Sequence, residues 1–330
     1  ASLISTVAAG TGLAVTAWLA FCVVPVFGRP LSGFSELPGL IRRGSWLTMS
    51  NAFASLTTGV DELVIAGWCG PAALPPWAIA KRLWNTTHTF LAQHVEHLVP
   101  LLGSLRTAEG ARVDRIAAAM HWYVVSLAGV VYSLMAWSGE AIVGLVAGHD
   151  VAPACRPAVL SFSLFGLGFA LAIVPVTLAL AKGVSRPAFE VSVILQVALF
   201  VPLCCLAIFT GVPWIYYAPV LGVPILPFTA AAAAARLGDC HPTQTWIRPV
   251  MVPLATGGVA IGASYFSPGF SGGKSVLIGG ILAASVLIGT LLIERFLGLN
   301  AECHVQLGEL VNQGFRQGGQ FTGRVLGACQ

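Results

Sequence analysis

Long apolar segments separated by short polar loops make up this chain, and the pattern predicts membrane-spanning helices. A helix that crosses a bilayer needs about 20 mostly apolar residues. The sequence predicts nine such spans, at 3–27, 45–68, 76–101, 116–137, 158–181, 188–209, 213–235, 249–268 and 275–297. The segment 139–149 is too short to span, so we expect an interfacial piece on the outer side. For the tail 298–330, which is rich in Gly and Gln, we expect a short interfacial helix followed by disorder.

The third predicted span differs from the others because polar groups crowd one half of its helical wheel, while apolar residues occupy the other half. The polar half holds Lys81, Arg82, Asn85, Thr86, His88, Thr89, Gln93, Glu96 and His97. A charge near the middle of a bilayer costs at least about 2.5–3.5 kcal/mol, so it usually faces a protein interior or a water-filled cavity. We therefore predict that this helix lines a polar cavity.

Composition favours an all-α polytopic membrane protein. Of the 330 residues, 56% are hydrophobic and 9% are charged, whereas a soluble domain carries about 25% charge. Continuous apolar runs replace the alternation that a β-barrel would need. The eight cysteines lack the spacing of a zinc or haem site, and we expect free thiols. A disulfide between Cys69 and Cys155, both on the predicted outer side, is the alternative.

Lys and Arg set the predicted orientation. Of the 17 Lys and Arg residues, 13 lie in the tail or in loops that follow odd-numbered spans, and two lie in the other loops. The positive-inside rule then puts the C-terminus in the cytoplasm and the N-terminus outside. An outside N-terminus without a signal peptide leads us to expect that this chain is the back part of a longer protein.

Lys81 and Arg82 have three interpretations from sequence alone. They could contact an anionic group in the cavity, pair with Asp61 and Glu62 on the adjacent helix, or extend to the outer interface. One of the two carboxylates could in turn couple to a cation or proton. The alternative for both carboxylates is a structural ion pair or a position in water at the rim.

Three histidines and several prolines within spans also allow two interpretations. His94 and His97 are three residues apart, which suits metal ligands, but no carboxylate–His motif accompanies them. We expect no metal site and interpret both, with His88, as hydrogen-bonding groups of a wet cavity. The prolines within spans are either hinges or static kinks. They are Pro175, Pro202, Pro219, Pro224 and Pro227, and the last two predict a bend in the seventh span.

Spans two to four carry an ordered series of motifs. A Gly and an Asn come early in a span, an Asp follows mid-span, and then come a Cys-Gly-Pro turn, an Ala-x-x-Leu helix and a Pro-Leu-Leu-Gly-Ser-Leu exit. These motifs lie in Gly44–Asn51, Asp61–Leu74, Ala78–Leu83 and Pro100–Leu105. Their order resembles the start of the second lobe in bacterial oligosaccharide and polysaccharide flippases, members of the multidrug/oligosaccharidyl-lipid/polysaccharide exporter superfamily.

Two further segments are similar to that family, and one departs from it. Trp137–His149 resembles an outer interfacial segment, and Ala179–Pro187 resembles a short cytoplasmic turn. Pro75–Trp77 stands where the family has Gly-x-Tyr after the turn. The resemblance covers most of 40–236.

The resemblance implies the architecture of a two-lobed exporter. It assigns 1–43 to the last helix of the first lobe and a cytoplasmic linker, and 44–236 to a six-helix second lobe. It assigns 237–297 to two additional transmembrane helices and 298–330 to a cytoplasmic tail. The implied protein is a flippase of the bacterial inner membrane, without cofactor or enzymatic activity. Its implied partners are a polyprenyl-diphosphate-linked glycan, membrane lipids, a polysaccharide polymerase and glycosyltransferases, and no nucleic acid.

The family's function also implies roles for the polar residues. Substrate would contact residues of the third span, namely Lys81, Arg82, Asn85, His88, Gln93 and His97. Asp61 and Glu62 would serve in coupling or in an ion pair. The alternatives are a cation-coupled multidrug exporter, a flippase of peptidoglycan lipid precursors, an assembly subunit, or a membrane-embedded enzyme acting on polyprenyl-linked sugars. The loops are short and lack clusters of catalytic carboxylates or histidines, which argues against the enzyme.

Overall fold

Helices form every regular element in the described part of the chain. The computed structural model describes residues 44–53, 59–96, 110–210, 212, 214–236, 250–266 and 273–297. The α-helices, in chain order, are α1 (44–53), α2 (Val60–Trp68), α3 (Leu74–Glu96), α4 (Gly110–Ala147), α5 (Ala152–Ala181), α6 (Arg186–Phe209), α7 (Ala218–Gly222), α8 (Leu226–Arg236), α9 (Met251–Phe266) and α10 (Gly273–Leu297). Short 3₁₀ turns lie at Pro71–Ala73, Trp214–Tyr217 and Val223–Ile225. No β-strand occurs in these ranges.

The centre of the bundle is α5, because this helix is apolar almost all round. In its most apolar stretch, 78% of the residues are buried. It packs against α4 on one side and against α3 and α8 on others, with Phe162 and Phe165 fully buried. Helix α4 also packs against α9 and α10, and α9 contacts α5 as well. Helix α3, which carries the predicted polar face, therefore packs against the central helix of the bundle.

Five helical stretches are long and apolar enough to cross a membrane. They are Ile116–Ala147, Ala152–Ala181, Arg186–Phe209, Trp214–Ala231 and Val276–Arg295. Each overlaps one of the predicted spans, so the prediction of an all-helical protein with several membrane-compatible helices is confirmed. The chain is built as a membrane-embedded protein.

Four of the nine predicted spans are not among these five stretches. The second span falls on α1 and α2, the third forms α3 with its polar face, and the eighth forms α9, which has 16 residues. The span at 3–27 and the tail at 298–330 lie outside the described residues.

The segment 139–149, predicted as an interfacial piece, continues α4 without a break to Ala147. Within it, Gly139 allows close packing, since a Cβ there would overlap the side chain of Val159 in α5. The helix ends where Gly148 adopts a φ of 103°, a conformation that glycine tolerates best. With 38 residues at about 1.5 Å per residue, α4 is about 57 Å long.

Prolines act differently in different helices. Pro175 and Pro202 lie inside α5 and α6, which continue through them. Where Pro224 and Pro227 predict a bend, a 3₁₀ turn at Val223–Ile225 separates α7 from α8. Proline lacks the N–H that would continue an α-helical ladder.

Free thiols are found at Cys69, Cys155, Cys204 and Cys205. Cys69 and Cys155 therefore do not form the disulfide that was considered as the alternative. The remaining cysteines lie outside the described residues.

Gly222 provides a test of the packing between α7 and α6. A Cβ at this position would overlap the backbone carbonyl oxygen of Ala198 and crowd the ring of Phe165. Because backbone cannot move aside cheaply, we expect Gly222→Ala to lower the free energy of unfolding by about 1–3 kcal/mol. Thermal unfolding of the detergent-purified protein measures this. Gly258→Ala in α9, where nothing lies within 4 Å of a built Cβ, is the control, and equal melting temperatures for the two variants would refute the packing argument.

Candidate functional site

The carboxylate of Asp61 is buried between α2 and α3 and is fully hydrogen-bonded. Lys81 Nζ lies 2.7 Å from both carboxylate oxygens, and Trp77 Nε1 donates to Oδ2 at 2.8 Å. The backbone N–H of Gly59 donates to Oδ1 at 3.2 Å. Trp77 and Lys81 are one turn apart on α3, so both reach the same acceptor. Asp61 is 3% exposed and Lys81 is 8% exposed, which makes this a buried ion pair.

The structure forms the ion pair that was one of the interpretations of Lys81. Its ammonium group is held by Asp61, and Glu62 Oε1 lies 3.9 Å from it as a second, partly exposed carboxylate. Lys81 would contact a substrate only by leaving a buried anion unpaired. In the structure it therefore links α2 to α3, and Arg82 is the cation of this helix that is exposed.

One face of α3 is exposed and polar. Its side chains are spaced three and four residues apart, so they share an arc of about 100°. We name this face the polar stripe, and it consists of Arg82, Asn85, Thr86, Thr89 and Gln93. Thr86 Oγ1 donates to the carbonyl oxygen of Arg82 at 2.9 Å. From Arg82 to Gln93 the stripe extends about 16 Å along the helix axis.

The opposite face of α3 is aromatic and apolar. Trp77, Trp84, Leu91 and Val95 are all buried. The indole of Trp84 stacks on the ring of Phe162 in α5, with 5.6 Å between centroids. Five residues of the predicted polar half are therefore exposed, whereas Lys81 of that half is buried and Phe90 of the predicted apolar half is 49% exposed. The aromatic packing of Trp84 fixes which way the polar stripe points.

His88 is partly exposed and contacts the aromatic face of α3 and α5 rather than the polar stripe. Its ring lies 5.9 Å from the ring of Trp84 and 4.6 Å from that of Phe169 in α5. Position 88 is one turn after the buried Trp84, so the packing of α3 on α5 turns it inward. Buried Nδ1 of His88 has no hydrogen-bond partner.

Of the other two histidines, the structure describes His94. His94 is exposed, and its Nδ1 lies 2.7 Å from the carbonyl oxygen of Phe90. His97 lies outside the described residues, as does the side chain of Glu96. Across the described ranges, no three His, Cys, Asp or Glu side chains lie together in a way that could hold a metal ion.

Sequence reasoning missed two partners of buried carboxylates. One is Trp77, whose indole N–H donates to Asp61. The other is Trp122, whose Nε1 donates to Glu294 Oε1 at 2.5 Å across 172 residues of sequence. A signal existed for the second site, because Glu294 is the one carboxylate in the otherwise apolar span 275–297.

The polar stripe offers groups for binding. The guanidinium of Arg82 can hold an oxyanion bidentately, the amides of Asn85 and Gln93 donate and accept, and the threonine hydroxyls do both. No protein-family model matches this chain, and searches of curated proteins and of solved structures find no match either. The stripe and the Asp61–Lys81 pair are therefore interpreted from their own chemistry.

Proposed function

We propose that this protein is a flippase of the bacterial cytoplasmic membrane that moves a polyprenyl-diphosphate-linked oligosaccharide to the outer leaflet by alternating access, without enzymatic activity. The observation that supports this proposal is the polar stripe on α3. This helix has 23 residues, which is long enough to cross a bilayer. An arginine and two amides facing hydrocarbon would be costly, so the stripe faces water or a polar ligand.

The chemistry of the stripe suits a saccharide on a diphosphate. A glycan cannot cross hydrocarbon unaided because its hydroxyls would lose their hydrogen bonds. Asn85, Thr89 and Gln93 supply replacement partners along the helix, and Arg82 supplies a bidentate donor for the diphosphate. Because Asp61 neutralises Lys81, the stripe presents one guanidinium, which allows the anion to be released as well as bound.

The motif resemblance supports the same proposal independently. The segments Asp61–Leu74 and Ala78–Leu83 that carry it also build the ion pair and the start of the stripe. The partners that we propose on this basis are the lipid-linked glycan, membrane lipids, a polysaccharide polymerase and glycosyltransferases. A peptidoglycan precursor carries the same polyprenyl diphosphate, so the test below includes it. A multidrug exporter is less well supported, because amides and hydroxyls suit a hydroxyl-rich cargo better than an apolar one.

The test is substrate protection of single cysteines. Asn85→Cys, Thr89→Cys and Gln93→Cys are placed separately in the protein with its native cysteines replaced by alanine, and are labelled with a membrane-impermeant maleimide. We expect labelling at all three positions and at least a threefold slowing by a polyprenyl-diphosphate oligosaccharide. Ile288→Cys, on the exposed apolar face of α10, is the lipid-facing control.

Three results would contradict the proposal. Stripe positions that stay as unreactive as position 288 would show that the stripe faces no water. Labelling that the oligosaccharide does not slow would show a cavity for a different cargo. Protection by a peptidoglycan precursor alone would transfer the assignment to that lipid.

A further inference from the structure

The exposed arc of α3 contains one phenyl ring among polar side chains. Between Trp77 and Val95, the exposed residues of this helix are Arg82, Asn85, Thr86, Thr89, Phe90, Gln93 and His94. All are polar except Phe90, which is 49% exposed. Exposed apolar residues of α10 such as Ile288 lie instead among other exposed apolar side chains. Because polar groups are costly in hydrocarbon, the neighbours of Phe90 indicate that its ring shares their polar surroundings.

Helical spacing places Phe90 at the edge of the polar stripe. Thr86 lies four residues before it and Gln93 three residues after it, so both are its neighbours on the helix surface. On its other side, the ring of His94 meets the phenyl ring edge to face, with 4.4 Å between centroids and 63° between planes. Groups that form hydrogen bonds therefore lie on both sides of the phenyl ring.

A hydrogen bond fixes the imidazole of His94 beside that ring. Its Nδ1 lies 2.7 Å from the carbonyl oxygen of Phe90. Because a carbonyl oxygen can only accept, Nδ1 is the donor of this bond. In the neutral imidazole, Nε2 then remains as an acceptor for a hydroxyl group.

A pyranose ring matches this combination of groups. Its hydroxyls point outward around the ring, while its axial C–H groups form apolar faces that pack on aromatic rings. Ligand sites commonly combine such an aromatic surface with a few polar groups that fix orientation. A lipid chain would use the phenyl ring but would leave the polar groups beside it without partners.

We propose that Phe90 is a sugar-stacking residue, whose ring packs on a pyranose of the lipid-linked glycan. Thr86 and Gln93 bind hydroxyls of that sugar on one side of the ring, and His94 binds a hydroxyl on the other. Arg82 lies eight residues before Phe90, about 12 Å along the helix axis, so a diphosphate held there is followed along α3 by its sugars. This inference rests on the proposed flippase function and adds the part of the site that recognises the sugar.

The experiment compares two probes, polyprenyl diphosphate and the same lipid carrying a disaccharide of N-acetylglucosamine, in equilibrium binding to the purified full chain. This sugar presents C–H groups on both faces of its ring. Phe90→Leu keeps an apolar side chain but removes the aromatic ring. We expect it to bind the sugar-bearing probe about 3- to 10-fold more weakly than the parent does, and the sugar-free lipid equally well. Phe90→Tyr keeps the ring and should bind both probes as the parent does.

Phe228→Leu is the matched control, because Phe228 is also exposed but lies on α8. It should leave both affinities unchanged, and all three variants should keep the parental melting temperature. If Phe90→Leu weakened both probes equally, the ring would contact the lipid, and if it weakened neither, the ring would not contact the cargo. Either result would overturn the stacking assignment while the flippase proposal stands. A parent protein that binds neither probe would overturn both.

Discussion

Lys81→Met is expected to lower the free energy of unfolding by about 3–5 kcal/mol, the usual cost of leaving one member of a buried ion pair without its partner. The carboxylate of Asp61 would keep the N–H groups of Trp77 and Gly59 but would lose both bonds from the ammonium. Glu62 cannot replace that cation, since it is itself negative. Thermal and denaturant unfolding in detergent would measure the change.

The double variant Asp61→Asn/Lys81→Met separates the destabilisation caused by an unpaired buried charge from the destabilisation caused by lost packing. With both charges removed, Trp77 can still donate to the amide oxygen of the new Asn, so we expect at least half of the lost stability to return. Arg82→Met, next to Lys81 but exposed, is the matched control and should change stability by less than about 0.5 kcal/mol. A Lys81→Met protein as stable as the parent would show that the pair does not hold α2 on α3.

Arg82→Ala is expected to reduce transport of the lipid-linked glycan about 10- to 100-fold, because a charge-assisted hydrogen-bond donor contributes about 1.5–3 kcal/mol. Arg82→Lys keeps the charge but loses the bidentate geometry, so an intermediate rate is expected. Export of glycan by cells that depend on the intact protein would measure both. Since Arg82 is exposed, neither change should alter the melting temperature.

Arg295→Ala is the control for the loss of one surface cation, because Arg295 is also exposed but lies on α10, away from the polar stripe. It should transport at the parental rate. If Arg82→Ala also transported at that rate, the guanidinium would not contact the cargo, and an assembly role for the stripe would gain support.

Features set by local sequence were predictable. The central position of α5 follows from an apolar surface with no polar side, and the two faces of α3 follow from the spacing of their residues. The bend before α8 follows from two prolines within four residues. Each of these depends on the chemistry of one segment alone.

Features set by tertiary contacts were not predictable in the same way. Periodicity gives α3 two faces but does not say which residues at their boundary α5 covers, so the contact of His88 with Phe169 could not be foreseen. Nothing local shows that Gly139 serves the approach of Val159. The partner of Glu294 lies 172 residues away, and no pattern within either helix indicates that distance.

The unbroken length of α4 has a mechanical consequence. A helix with a path of about 57 Å exceeds the roughly 30 Å hydrocarbon core of a bilayer. Arg156 of α5 lies 3.9 Å from Glu140 near the C-terminal end of α4 and donates to the Ser264 carbonyl of α9. In the N-terminal half of α4, the indole N–H of Trp122 donates to Glu294 of α10. Because α4 contacts α5, α9 and α10 along its length, any tilt of α4 in the membrane would have to move these three helices with it.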